Sequence, residues 1–516
     1  MSGHRLVIKD AAWQLIGRII SALFWFLTIK IITPYLWPLQ YGDYSTILKY
    51  FAIRTALADM GLYVLAVKRL GAIKDKETDP NRPQLKSEYG KFVGTRLSIM
   101  SVVYIVAIVV AYLLPAYTSN PYLVRWLPFG MIFSASFMFA WIQQLPLQIF
   151  WRMDKLSWSL IVARLSQIAV LVPVVFFIFK DMTFDGTTMS IVAFCCIMFS
   201  VVASSIGQNI QIHISAKKLL SLKIQFDRKF TKEIIKRNRQ YGISYYLSSF
   251  HTLIVLLFLG WFFPTSGGFG YVGIWALALS LIEILLIIPS SLGNSLLHKI
   301  SSYSLVNKRK SIWNLLLLVF WMAILIALNF WFFADKIILL VSDSSYLWTF
   351  SSITAWWSNQ VLPFLGIVLV GSFIKQVYNY LFVAVDKQNV LLPINLIGVF
   401  VGIPLWIRMI PRYGLFGGVI TQITIEFIFM FGAILVGKRQ KIQPIFSWAI
   451  LWKLCAILLW MAIVGYFITY FRTLNIFWFF VVALCLNLFF IFISLWTIKK
   501  IAKGLTVDET TAEVIY

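Results

Sequence analysis

Apolar runs of about 20 residues recur along this 516-residue chain, separated by short polar breaks. A run of that length crosses the hydrocarbon core of a bilayer as one helix. The pattern predicts about fourteen such helices, over residues 11–33, 43–67, 92–114, 126–149, 158–179, 188–214, 242–263, 271–298, 313–334, 361–385, 390–410, 415–436, 448–471 and 476–498. The opening MSGHRLVIK leads straight into the first run with no small-residue cleavage site, so that run reads as a membrane helix and not as a removable signal peptide. The predicted fold class is an all-α polytopic membrane protein, with the bilayer itself as its first partner.

Composition sharpens this reading. Hydrophobic residues make up 60% of the chain, aromatic ones 17% and charged ones only 13%, against about a quarter charged in a soluble domain. No polar stretch is long enough to form a separate soluble unit. The formal charge of +25 would suggest nucleic acid in a soluble protein, but here the basic residues sit in short loops, and nucleic acid is excluded as a partner. With the N-terminus inside, cytoplasmic segments hold 31 of the 45 Lys and Arg residues. The outer loops hold Arg125, Lys180, Lys336, Arg412 and Arg472, so the positive-inside rule puts both termini in the cytoplasm.

The densest basic break, KKLLSLKIQFDRKFTKEIIKRNRQYG, reads as an amphipathic segment on the membrane surface. It divides the chain into a first six-helix unit (1–216), a linker (217–241), a second six-helix unit (242–437), and a C-terminal helix pair with its tail (438–516). A weak internal echo links residues 41–71 with residues 269–301: both begin aromatic-Gly and end near basic residues.

The chemistry-bearing residues are those inside the runs. Lys30, Arg408 and Lys453 lie near run ends, where long side chains snorkel to water. Arg54, by contrast, falls near the middle of the second run, and Arg18, Arg96 and Arg164 enter the first, third and fifth runs to the depth of Asp59. An ionised group at mid-bilayer costs about 3 kcal/mol on insertion scales, so these groups face protein or water. Asp59 follows Arg54 at i+5, about 140° round the helix, a poor intrahelical pair. It is expected as the local counter-charge in a cluster that remains positive.

A positive surplus suits an anionic ligand, and arginine's planar fork suits phosphate. The predicted substrate-binding set is Arg54, Arg18, Arg96 and Arg164, with Lys49 and Lys375. Glu283 and Glu426 are candidates for binding a coupling Na+ or proton, or for pairing with Lys375. Pro146, Pro173, Pro289, Pro363, Pro393 and Pro404 mark candidate kinks. Cys195, Cys196, Cys455 and Cys485 lie in apolar runs, and the four histidines show no ligand spacing, so no metal site, cofactor or catalytic group is expected. No nucleotide-binding or hydrolase motif appears, and the short outer loops speak against an enzyme of lipid-linked sugars, such as a membrane glycosyltransferase or polymerase.

Three stretches carry a family resemblance: QYGDYS at 40–45, LADMGL at 57–62 followed by KRLG at 68–71, and IPRYGLFGGVITQITIEF at 410–427. With the topology of nearly the whole chain, they resemble the multidrug/oligosaccharidyl-lipid/polysaccharide (MOP) exporter superfamily, and within it the Wzx-type flippases. The resemblance implies two six-helix bundles in a V around a cationic cavity, with two added C-terminal helices. It implies translocation of an undecaprenyl-pyrophosphate-linked oligosaccharide, such as an O-antigen unit, across the bacterial cytoplasmic membrane. A polysaccharide polymerase and chain-length proteins are the further partners it implies. A flippase for lipid-linked peptidoglycan precursor and a cation-coupled multidrug exporter share the architecture and stay open as alternatives.

Overall fold

The structure, a computed structural model, describes residues 3–77, 79, 81–113, 121–179, 191–263, 268–290, 305–347, 358–384 and 387–440. Its elements are α1 (Gly3–Ile32), α2 (Pro38–Asp59), α3 (Leu62–Lys76), α4 (Pro83–Leu113), α5 (Pro121–Ile149), α6 (Met153–Pro173), α7 (Ile191–Lys217), α8 (Arg228–Phe262), α9 (Gly268–Leu285), α10 (Leu305–Val341), α11 (Ser358–Ala384) and α12 (Leu391–Arg439). The described residues are nearly all helical. The first twelve predicted runs fall on these helices; the runs at 448–471 and 476–498, with Lys453, Arg472, Cys455 and Cys485, lie outside the described residues.

Among the described residues nine helical stretches are long and apolar enough to cross a bilayer, one of them α2 and α3 taken together (Pro38–Lys76), or ten with the bent α8. One of them is two spans. At 49 residues, α12 would run about 73 Å if straight, more than twice the hydrocarbon thickness. It breaks at Gly414 (φ 55°, ψ −129°), a conformation open only to glycine. Beyond that break the chain doubles back: Gly398 lies against Phe429, Gly402 against Ile425 and Gly432 against Ile394. Falling numbers on one arm meet rising numbers on the other, which defines an antiparallel pair, and the RYG of the third resemblance stretch is its turn.

The second predicted run, 43–67, is corrected by the structure. Met60 and Gly61 are both left-handed (φ 43° and 70°), so α2 ends at Asp59 and α3 starts at Leu62. A Cβ on Gly61 would stand 2.5 Å from the Tyr241 ring, so this break is built for glycine. Arg54 therefore sits about 7.5 Å from the end of α2, not at its centre.

The linker prediction is also corrected. After a turn at 218–220, residues 221–227 run without regular secondary structure against α4, where the Gln225 backbone amide donates to the Gly90 carbonyl (3.1 Å). Asp227 then caps α8, accepting from the Lys229 and Phe230 amides at 3.0 Å each. These bonds, that from Phe230 first, hold its carboxyl below the ordinary carboxylate range. From Arg228 the basic segment is helix continuous with the seventh predicted span. Its first turns dock by Asn238 Nδ2 on the Met60 carbonyl (2.5 Å) and by Thr231 on Thr95 (2.8 Å). Arg69 of α3 reaches both Glu88 and Glu233.

Helix α1 packs on α6, α6 and α5 on α7, and α2 on α4 and α5; in the later part α10 packs on α11, α11 on α12, and α12 and α9 on α8. The main contact between these groups is α2 on α9. Gly273 approaches so closely that a Cβ there would be 1.8 Å from the Pro38 carbonyl oxygen. The described starts of the two echo segments thus meet, and it is Gly273 against Pro38 and Gly42 that permits the approach. Outward-facing residues such as Ile105, Phe177 and Phe400 are 65–81% exposed, as lipid-facing side chains are.

Candidate functional site

Helix α2 organises the charged interior, because its side chains meet α4, α5, α8 and α9 in turn. At its far end Asp59 is buried (2% exposed) and forms an ion pair with the equally buried Arg96 of α4. Asp59 also accepts the backbone N–H groups of Gly61 and Tyr63, at the start of α3. The Arg96 guanidinium lies beside the Tyr63 and Trp141 rings, 5.9 and 5.7 Å from their centroids. Asp59 was expected as the counter-charge of the cationic cluster and Arg96 among its substrate-binding cations; the structure joins these two residues to each other across α2 and α4.

Two further predicted residues are brought together across the α2–α9 seam, where Lys49 pairs with Glu283. Deeper in the later half, Lys375 of α11 donates to Glu426 Oε1 of α12 at 2.8 Å, and His251 Nε2 of α8 lies 2.9 Å from the same oxygen. His251 escaped the sequence reading. A lone histidine in an apolar run has no visible partner when that partner is 175 residues away, and only the fold supplies it.

Among the described residues, Arg54 and Arg164 meet no carboxylate. The Arg54 guanidinium lies 4.8 Å from the centroid of the Tyr50 ring, and its buried Nε has no hydrogen-bond partner. Tyr50 is fixed in turn, since its hydroxyl donates to the Ala107 carbonyl of α4 at 2.6 Å. Arg164 Nη1 donates to Gln167 Oε1 at 3.0 Å and stands within electrostatic reach of Tyr44. Arg18 Nη1 donates to the Ser290 hydroxyl at 3.1 Å, with Tyr63 and Tyr380 in electrostatic reach. The predicted arginines are thus set apart: Arg96 pairs with Asp59, Arg54 lies over Tyr50, and Arg164 and Arg18 stand within electrostatic reach of Tyr44 and of Tyr380 and Tyr63 respectively.

The face of the molecule at the start of α2 is tied separately. Lys30 Nζ donates to the Leu339 and Ser342 carbonyls at the end of α10 (2.6 and 2.5 Å), and the Tyr346 hydroxyl donates to the Leu36 carbonyl at 2.5 Å. Among the described residues no group of three or more His, Cys, Asp and Glu side chains is placed to hold a metal.

This architecture has close counterparts. A structure of the lipid II flippase MurJ, in an inward closed conformation, aligns with 94% of this chain and 98% of its own at TM-score 0.65 and 13% identity. An inward-facing multidrug resistance MATE family transporter aligns with 84% of this chain and 98% of its own (TM-score 0.57, 13% identity). A MOP superfamily transporter from Pyrococcus furiosus aligns with 85% and 95% (TM-score 0.57, 13% identity). The fold is therefore the one shared by these MurJ, MATE and MOP-superfamily structures. No curated protein matches the sequence. The sequence pattern of the family described as "Polysaccharide biosynthesis protein" matches residues 7–294, more than half of the chain, and the chain belongs to that family.

Proposed function

We propose that this protein moves a polyprenyl-pyrophosphate-linked oligosaccharide from the inner to the outer leaflet of the bacterial cytoplasmic membrane by alternating access. One observation carries the reading: every intramembrane acid named above has a cationic partner, whereas the guanidiniums of Arg54 and Arg164 meet no acid among the described residues. Two guanidiniums at different heights match a dianionic diphosphate that has to travel. Each offers a planar donor fork to phosphate oxygens, and neutralising the diphosphate lowers the cost of carrying it past the membrane centre. The ring of Tyr50 keeps the Arg54 fork in one orientation. Glycan and diphosphate pass between the two six-helix units while the polyprenyl tail stays in lipid, and no covalent step is required.

The acids also weigh against a cation-coupled drug exporter, since Asp59, Glu283 and Glu426 are each engaged by a basic side chain. The test is Arg54→Ala beside Arg54→Lys, read by translocation of a pyrophosphate-linked glycolipid in proteoliposomes and by surface glycan display in a strain dependent on the protein. Arg54→Ala is expected to lower translocation at least about tenfold, one lost charge-assisted contact being worth roughly 1.5–3 kcal/mol, with partial rescue by Lys. Unchanged translocation in both variants at equal membrane levels overturns the reading. Offering a peptidoglycan-type precursor and a polysaccharide repeat unit in parallel separates the two flippase alternatives.

A further inference from the structure

Residues 217–232, KKLLSLKIQFDRKFTK, carry six basic side chains and one acid. The acid, Asp227, is engaged: it caps α8 and lies 3.8 Å from Lys91. Contacts give the segment before that cap an inner and an outer edge. Leu220 is buried in the apolar cluster that holds Leu85, Tyr89 and Phe92 of α4, Leu222 packs against it, and Ser87 Oγ donates to Gln225 Oε1 at 3.2 Å. The backbone follows α4 so closely that a Cβ on Gly90 would stand 2.3 Å from the Lys223 carbonyl oxygen, and one on Gly94 2.1 Å from that of Gln225. The outer edge is apolar: Ile224 is 48% exposed and Phe226 72%, and the exposed Lys223, Arg228 and Lys229 flank them.

Helix α4 shows which medium those two side chains meet. Gly94, Ser98, Val102, Ile105, Val109 and Leu113 recur every three or four positions and so share one face. From Ser98 onward that face is exposed, and its four large apolar residues are 53–74% exposed, the profile of a helix side turned to lipid. Leu113 lies 19 residues beyond Gly94, which is about 28 Å of helix and close to the ~30 Å of a hydrocarbon core. The cytoplasmic boundary of the bilayer therefore falls near Gly94, where the segment crosses α4. A Cβ on Gly94 would stand 3.2 Å from the Phe226 amide nitrogen, so Phe226 sits at the foot of the lipid-facing stripe.

We propose that Ile224 and Phe226, with Lys223, Arg228 and Lys229, form a docking site for anionic phospholipid of the inner leaflet. The two apolar side chains enter the headgroup boundary, and the three cations meet headgroup phosphates. A cytoplasmic leaflet carries a negative surface potential that attracts basic residues beside a span, and apolar contact in the interface adds to that attraction. Position favours lipid over an acidic protein partner, because the face of α4 that the segment crosses continues directly into the bilayer. The docked segment is the chain's passage from the first six-helix unit to the second. This inference does not depend on the identity of the cargo.

The test uses the full chain in lipid nanodiscs, with a nitroxide label at Ile224→Cys or at Phe226→Cys in a background without native cysteines. A reference label goes at Asp75→Cys, a side chain 76% exposed near the end of α3. In bilayers containing phosphatidylglycerol, the labels at 224 and 226 are expected to collide with dissolved oxygen and to be shielded from an aqueous nickel chelate, the reverse of the label at 75. In phosphatidylcholine alone the shielding is expected to weaken. The triple variant Lys223→Gln, Arg228→Gln, Lys229→Gln, with folding checked by gel filtration, is expected to lose the phosphatidylglycerol-dependent part, each cation contributing up to about fivefold to the ratio of docked to free segment. Labels at 224 and 226 as open to nickel as the label at 75 in the anionic bilayer overturn the proposal, as does shielding that ignores phosphatidylglycerol. Shielding accompanied by dipolar coupling between labels on two chains overturns it in favour of a contact between copies.

Discussion

Arg96→Met separates a structural pair from a substrate contact. The side chains of Arg96 and Asp59 are 4% and 3% exposed, so removing the guanidinium leaves a carboxylate alone in a low-dielectric interior. Breaking a buried pair from one side costs about 3–5 kcal/mol, and loss of the cation contacts with Tyr63 and Trp141 adds about 0.5–1 kcal/mol each. Met preserves most of the aliphatic stem, which keeps packing loss small. The double variant Asp59→Asn with Arg96→Met removes both charges, while the Asn oxygen still accepts a backbone N–H from Gly61 or Tyr63. It is expected to recover to within about 1 kcal/mol of the native chain. Equilibrium unfolding of the native chain, Arg96→Met, Asp59→Asn and the double variant in mixed detergent micelles gives the four free energies of the cycle, and translocation by the double variant gives the functional answer. If Arg96→Met alone costs under about 1 kcal/mol, or if the two changes simply add, the pairing argument is wrong. If the double variant is stable but inactive, Arg96 contacts the cargo after all.

Three shorter expectations follow. Gly273→Val should lower the melting temperature and disrupt folding yield, because overpacking against the Pro38 carbonyl forces α2 and α9 apart at a cost of about 1–3 kcal/mol or more. Lys49→Glu alone places two carboxylates together at the same seam and should destabilise, whereas Lys49→Glu with Glu283→Lys should restore the melting temperature. Asp227→Ala should raise amide exchange and proteolysis at 225–231. Because its folded carboxyl is held below the usual range, the cap is at full strength above the ordinary carboxylate pKa and is lost as pH falls through the lowered value. Acid should therefore reproduce the variant's exchange pattern in the native chain.

Hydrophobic periodicity located helices well, because a bilayer fixes their length. It could not locate breaks that depend on one backbone conformation: LADMGL looks continuous until Met60 and Gly61 turn left-handed and end α2 at Asp59. Charge depth was legible in the same limited way. Arg54, Lys49 and Lys375 were visible as costly residues, but pairing is a property of neighbours 37 to 234 positions away, and no local pattern encodes it. The expectation of Glu426 beside Lys375 needed only opposite charge in one half of the chain, whereas His251 needed the bend of α8. The basic linker misled because positive-inside charge and a helix start share the same residues, and only the Asp227 cap tells them apart.

The distribution of pairing has an energetic consequence. Arg96, Lys49 and Lys375 already neutralise Asp59, Glu283 and Glu426. Arg54 and Arg164 nevertheless sit inside spans, each at a cost of up to about 3 kcal/mol, the insertion-scale figure for a helix centre. Together that approaches the lower end of a domain's whole net stability of about 5–15 kcal/mol. Tyrosine faces and a glutamine oxygen offset part of it, roughly 0.5–2 kcal/mol per contact. The remainder is recovered only when water or an anion reaches the guanidiniums. A ligand at 100 times its dissociation constant returns about 2.7 kcal/mol, close to the unmet cost of one arginine. On this reasoning a pyrophosphate compound should raise the melting temperature of the native chain, and Arg54→Ala should melt no lower than the native chain without ligand while losing that ligand-dependent rise.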